Sequence, residues 1–496
     1  MFRTAPIVML FRCCLRPWNG TFGRIYVFLS TFVIYLFFHA SRKPISVVKS
    51  VWHSNCTTNR STTCGWKPFD GSEYSALFGW LDMIFLVAYS VGLFFSGHIA
   101  DRFHLRKFLG LAAILCGLTS ILIGSSYFLE IHSLAFFMIM QLISGAFQAM
   151  GWPAVVASMG NWFGRARRGL LFGLWNTHGS TGNIVGSVIA GAFVDTVWAW
   201  SFIVPGILIC VCGLYALLCL VPYPEEVGVE PPEREITKEV EYVVAENFTE
   251  DTLALSVDLP EVTDLKMDLT KVSISATKPV SIMTALRVPG VVEYSLCLFF
   301  AKLVSYTFLF WLPKYIRDTG DFDPSTAADL SSLFDLGGII GGILAGALTD
   351  WTAASATVCS VMLLFGVPLL YVYYAFGALS VGTCVGCLIP LGMLVNGPFG
   401  LITTAVAADL GTHPSLRSDT RALATVTGII DGTGSMGAAL GPLLCGQLVP
   451  YGWKTVYIML MVSLAFSAVL LFRRVVYEIG TYIQYRKNTQ IRGCMM

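Results

Sequence analysis

Charge is what this chain has least of: 13% of its 496 residues are Asp, Glu, Lys or Arg, while 55% are hydrophobic. Soluble domains carry about a quarter charged residues, so this scarcity excludes an ordinary globular protein and points to lipid as the main solvent. A basic surface for nucleic acid is excluded too, because the net charge is only +1. The 14 cysteines lie mostly in apolar runs, without a Cys/His cluster at metal-ligand spacing, so no metal or other cofactor is expected. Neither a nucleophile–base motif nor a phosphate-cradling glycine loop stands out, which argues against an enzyme. No cleavable signal peptide is expected, since the first apolar run is long enough to remain as an anchor.

What is present is a series of long apolar runs. A helix needs roughly 20 mostly apolar residues to cross a bilayer. Twelve such runs are expected, starting near Arg24, Ser75, Phe108, Ser133, Arg168, Trp200, Pro289, Ala327, Ala354, Val381, Arg421 and Lys454. This predicts an all-α polytopic membrane protein with two six-helix bundles, 1–222 and 288–473. A polar linker, 223–287, joins them, and a tail, 474–496, follows. Basic residues cluster in alternate loops, as in Arg102, Arg106 and Lys107 or Arg165, Arg167 and Arg168. The opposite side has only Lys49, Arg60, Lys67, Lys314, Arg317 and Lys454. The positive-inside rule therefore puts both termini and the linker in the cytosol. The first non-cytosolic loop carries the sequons at Asn55 and Asn59 and a candidate disulfide between Cys56 and Cys64.

The halves echo each other. One half has Gly179, Gly182, Gly186 and Gly191 in its fifth run, and the other has Gly432, Gly434, Gly437, Gly441 and Gly446 in its eleventh. Small residues at such intervals let helices approach closely, and matched placement marks a parallel repeat.

Ionisable groups in hydrocarbon are costly and mark functional positions by default. Arg42 and Lys43 follow the run Ile25–Ala40 without a polar spacer; they either snorkel to the interface or line a site. Lys302 sits in mid-run, where snorkelling is implausible, with Asp335 on the next run as its expected ion-pair partner. Asp82 and Asp431 are further intramembrane acids, in transport or helix-to-helix bonding. Basic residues from opposite halves suggest a clamp for a phosphorylated anion. His178, His39, Tyr35 and Tyr89 are candidates to surround that anion.

The loop motif Gly97-xxx-Asp101-Arg102-xxx-Arg106, with the twelve runs and the repeat, resembles the major facilitator superfamily, where it acts as a gating latch. Tyr35…His39-Ala-Ser-Arg42-Lys43-Pro44, Gly151-Trp152-Pro153 and Trp175-Asn176 resemble the organophosphate:phosphate antiporters. Ser41–Lys49, Ala301–Leu309 and Ile430–Gly434 are similar to the animal sugar-phosphate (glucose-6-phosphate) exchangers. The resemblance implies antiport of a sugar phosphate, glucose 6-phosphate, against inorganic phosphate across the endoplasmic reticulum membrane. It assigns phosphate binding to Arg42, followed by Lys43, sugar contacts to Tyr35 and Tyr89, and an acidic role to Asp335. Ser305 falls where the family has its second arginine, Gly179 where it has a histidine, and His39 where it has a tyrosine. Transport of another organic anion or of phosphate alone, or a non-transporting receptor, are the alternatives.

Overall fold

The structure, a computed structural model, describes residues 19–53, 65–100, 103–163, 168–230, 282–320, 322–411 and 422–493. Asn55, Cys56, Asn59, Cys64, Asp101 and Arg102 lie outside them. Among the described residues every regular element is helical. The first half contains α1 (Gly20–Ala40), α2 (Lys43–Trp52), α3 (Tyr74–Ala100), α4 (Leu105–Ser125), α5 (Leu134–Ala149), α6 (Gly151–Phe163), α7 (Arg168–Asn176), α8 (His178–Val194) and α9 (Ala199–Cys219). The second contains α10 (Val291–Thr319), α11 (Pro324–Thr352), α12 (Ser355–Phe376), α13 (Val381–Leu401), α14 (Ala422–Leu448), α15 (Trp453–Leu470) and α16 (Phe472–Gly493).

Three of the expected spans are each two helical pieces. The first turns at Ser41-Arg42, where Pro44 in the first turn of α2 suits a restart, because its missing N–H would have no partner there. The fourth is α5 followed by α6, and the fifth is α7 followed by α8, interrupted at Thr177. Ten stretches of described residues are long and apolar enough to cross a membrane. The two expected runs outside that set are the glycine-rich α7–α8 and α14. The glycines that lower their apolarity also let them pack closely against neighbouring helices. An added side-chain carbon at Gly186 would stand 2.5 Å from the Ala40 carbonyl oxygen, and one at Gly441 2.4 Å from that of Leu303. So α8 lies against α1, and α14 against α10, in matching ways: the repeat expected from the glycines is a repeat of helix contacts.

The halves meet most extensively at the end away from the start of α1 and α10, through α8 with α11, α3 with α14 and α2 with α10. Two glycines make the closest approaches there. A carbon on Gly191 would meet Ala328 Cβ at 3.1 Å, and one on Gly446 the Ser75 carbonyl oxygen at 2.4 Å. At the opposite end the contact is smaller, between α7 and the π-helical segment Ile402–Val406 that continues α13.

The sequence boundary at 473/474 falls inside a helix. α16 begins at Phe472, and Glu478 accepts bonds at 2.9 Å from the backbone N–H groups of Ala356 and Thr357. Those are free donors in the first turn of α12, so the carboxylate caps that helix.

Candidate functional site

The break between α1 and α2 puts Arg42 and Lys43 inside the protein, with exposures of 6% and 1%. Both are packed, and neither reaches out to an interface. The Arg42 Nε donates to the Gln148 side-chain oxygen of α5, and its guanidinium lies over the Tyr89 ring of α3, 4.6 Å from the centroid. Its Nη2 is buried without a hydrogen-bond partner, and no carboxylate among the described residues is within ion-pair distance. A small cavity adjoins it, lined by Ser41, Ser120, Gln141 and Ser144 and, on its apolar side, by Phe85 and Phe310.

Lys43 crosses between the halves. Its ammonium stands 3.6 Å from the Asp335 carboxylate of α11, which also accepts from Asn183 of α8 at 2.8 Å. The expected Lys302–Asp335 pair is therefore corrected. Asp335 faces α2 and α8 of the other half, while Lys302 of α10 pairs with Asp431 of α14 at 2.7 Å. The packing of α14 on α10 decides this. Gly434 lies so close that an added carbon would be 3.0 Å from Lys302 Cδ, and the lysine stem runs through that gap toward Asp431. Lys302 is buried, whereas the Asp431 side chain is 36% exposed.

Asp82 has a partner that sequence reading misses. Lys49, read as a loop residue, is fully buried in α2 and bonds Asp82 of α3 at 2.5 Å. It also donates to the Phe310 carbonyl of α10 at 3.2 Å and lies 4.7 Å from the Trp311 ring centroid. This contact joins the halves at their closed end. Its sequence signal is spacing: Lys49 is seven residues past Arg42, on the same helical face.

His178 is 1% exposed in an aromatic box, its ring centroid 4.9 Å from that of Tyr35 and 4.6 Å from that of Trp175. Neither of its nitrogens has a partner. His39 lies edge-on to Tyr35 at 5.3 Å and 5.8 Å from His178. Thus Tyr35, Tyr89, His39, His178 and Arg42 are gathered on one side of the interface. Tyr306, one turn after Lys302, is unmarked in the sequence because tyrosine is ordinary in membrane helices. It lies in the neighbourhood of Arg42, Tyr89, Lys302 and Asp431. Ser305, at the position of the family's second arginine, donates to Asn396 at 2.6 Å.

Of the gating loop, Gly97 lies within α3 and Arg106 within α4. Arg106 is buried and reaches the Glu226 carboxylate at 3.1 Å, which His104 also meets at 3.0 Å. The end of the first half is thus tied to the loop after α3. Among the described residues no group of three or more His, Cys, Asp or Glu could hold a metal ion.

Lys43, Lys49 and Lys302, all buried, each have an acid, and Arg42 has none among the described residues, so these central groups leave about one positive charge unmatched. A guanidinium with free N–H donors suits the oxygens of a phosphoryl group.

Over residues 31–418 the chain matches the Major Facilitator Superfamily. It is 48% identical over 472 residues to the glucose-6-phosphate exchanger SLC37A2 of Xenopus tropicalis, covering 92% of this chain and 93% of that protein. To SLC37A2 of Homo sapiens it is 45% identical, covering 96% of each. To the putative glycerol-3-phosphate transporter 5 of Arabidopsis thaliana it is 44% identical, again covering 96% of each. Its fold is similar to that of a bacterial homolog of the human lysosomal transporter Spinster, in an inward-facing and unoccupied conformation. The TM-score is 0.58 at 15% identity, covering 92% of this chain and 96% of that one.

Proposed function

The chain belongs to the major facilitator superfamily, and from that premise we propose that it is an antiporter exchanging glucose 6-phosphate for inorganic phosphate. Exchange proceeds by alternating access, with the halves rocking about the site between them. The observation that carries this reading is Arg42, a buried guanidinium with no acid and one nitrogen without a partner among the described residues. A phosphoryl group supplies both the missing charge and the missing acceptors. Relatives named as glucose-6-phosphate exchangers, similar over nearly the whole chain, supply the sugar.

In this mechanism Arg42 holds the phosphoryl oxygens from the first half and Lys302 from the second. Tyr35, Tyr89, Tyr306 and His39 offer hydroxyl and imidazole groups to the sugar. No bond is made or broken, so the protein acts as a carrier. Exchange follows from electrostatics: closing a dry chamber around an unmatched cation is costly, and an anion of either kind removes the cost. Lys43–Asp335 and the Lys49–Phe310 bond hold the far end shut in the conformation described. They must part when that end opens.

The membrane is intracellular, that of the endoplasmic reticulum, with both termini cytosolic and the Asn55–Asn59 loop in the lumen. A second reading, a smaller phosphorylated metabolite as cargo, is favoured by the 44% identity to a putative glycerol-3-phosphate transporter. Proteoliposomes loaded with labelled phosphate test both. Release driven by external glucose 6-phosphate, and not by glucose or sulfate, supports the first reading. Release by glycerol 3-phosphate alone supports the second, and no stimulated release refutes both.

A further inference from the structure

We infer that Asp431 is a built-in competitor of the substrate's phosphoryl group for Lys302. It keeps phosphate binding weak enough for release and neutralises Lys302 when the carrier returns unloaded. This rests on the proposed phosphate exchange and adds a specificity residue to it.

The two cations of the site differ in a way that the clamp alone does not require. Arg42 meets only neutral groups, Gln148 and the Tyr89 ring. Lys302 is matched by Asp431 at 2.7 Å, with the ammonium 5% exposed and the carboxylate 36% exposed. The acid is therefore the more accessible member of the pair. An anion approaching Lys302 meets a carboxylate already bonded to it. Tyr306, one turn after Lys302 on α10, lies near both members and near Arg42, and Tyr89, over which Arg42 lies, is also near Lys302, so the pair borders the region of Arg42. On its far side Lys302 faces the Phe399 ring, 5.4 Å from its centroid, which offers no competing charge.

A carboxylate and a phosphoryl group present similar charged oxygens to an ammonium, so they exclude one another there. When phosphate binds, Lys302 turns from Asp431 to the ligand, and the half-exposed carboxylate is left facing the chamber. When phosphate leaves, Asp431 takes Lys302 back. The empty chamber then holds one unmatched cation, Arg42, in place of two. This permits a slow unloaded return, whereas a chamber with two bare cations would be locked. Affinity and leak are thus set by one residue, in opposite directions.

The test is Asp431→Asn in proteoliposomes, with Asp431→Ser as a second variant should the first fail to accumulate. Phosphate:phosphate exchange and net phosphate efflux into anion-free buffer are measured side by side. Removing the competing charged hydrogen bond lowers the KM for phosphate by about tenfold. Net efflux, as a fraction of exchange, falls well below that of the parent. Asp431→Glu, which keeps the charge, restores both values toward the parent. A merely structural Asp431 would lower exchange velocity with an unchanged KM and an unchanged efflux fraction, and that result overturns the inference. A higher KM in the Asn variant overturns it as well. If the parent itself exchanges no phosphate, the proposed function fails instead, which is a separate outcome.

Discussion

Removing the carboxylate of Asp82 while keeping its shape, as Asp82→Asn, strands the Lys49 ammonium. Both side chains are 0% exposed, and the pair at 2.5 Å is the only ion pair that either makes among the described residues. Breaking one member of a buried pair costs about 3–5 kcal/mol, because the remaining charge stays buried and unmatched. Aromatic rings soften the loss only in part: those of Trp311, Phe310 and Phe78 lie 4.7, 5.6 and 5.8 Å from the ammonium. For a unit the size of one half, this lowers the melting midpoint by about 6–20 °C. The double variant Lys49→Met, Asp82→Leu removes both charges at similar volume and melts near the parent or above it. Thermal unfolding of the purified protein in detergent compares the three. The double variant has also lost the bond to the Phe310 carbonyl, so it opens more readily at the far end although it is stable. The reasoning is refuted if Asp82→Asn melts with the parent. It also fails if the double variant falls as far as the single, since the loss would then come from packing.

Three further outcomes are expected. Arg42→Gln lowers phosphate exchange at least about 100-fold, and Arg42→Lys recovers only part, because an ammonium cannot present the planar fork; initial rates in proteoliposomes check this. Gly441→Leu drives a side chain into the Leu303 carbonyl and cuts the yield of monodisperse protein on size exclusion, whereas Gly346→Ala, with nothing within 4 Å of the added carbon, leaves it unchanged. His53, at the closed end just past α2, is half-buried, stacked on Tyr74 at 3.5 Å, and bonded to the Phe69 carbonyl at 2.9 Å. Burial, helped by the charge of Lys314, pushes its pKa below the ordinary value for histidine. The unfolded chain therefore takes up its proton first. Stability is fully kept above about pH 6.5 and declines as pH falls below it. The decline is smaller in His53→Gln, which melting midpoints between pH 7.5 and 5 would reveal.

The membrane-spanning helices and their duplication could be read from residue order, because apolar length and glycine spacing are one-dimensional signals. Arg42 and Lys302 stood out for the same reason, as charges in runs that should have none. Partners were another matter. Asp335 and Lys302 lie on consecutive runs, yet the acid turns toward Lys43 in the other half, and only the tight seating of α14 on α10 delivers Asp431 to Lys302. Lys49 was hidden because polar residues follow it closely, so that it resembled the edge of a loop. Tyr306 carries no mark at all: its nearness to both cations is a property of helix packing rather than of residue type.

Glu478 gives the α12 edge of the second half an unexpected keystone. Because its carboxylate seals the first turn of α12, a chain shortened before residue 478 would leave those donors bare at a helix start remote in sequence. Deletions meant only to trim a floppy end would then fray α12 from its beginning. A fluorescent or affinity label is better joined beyond Gly493, where α16 has already ended.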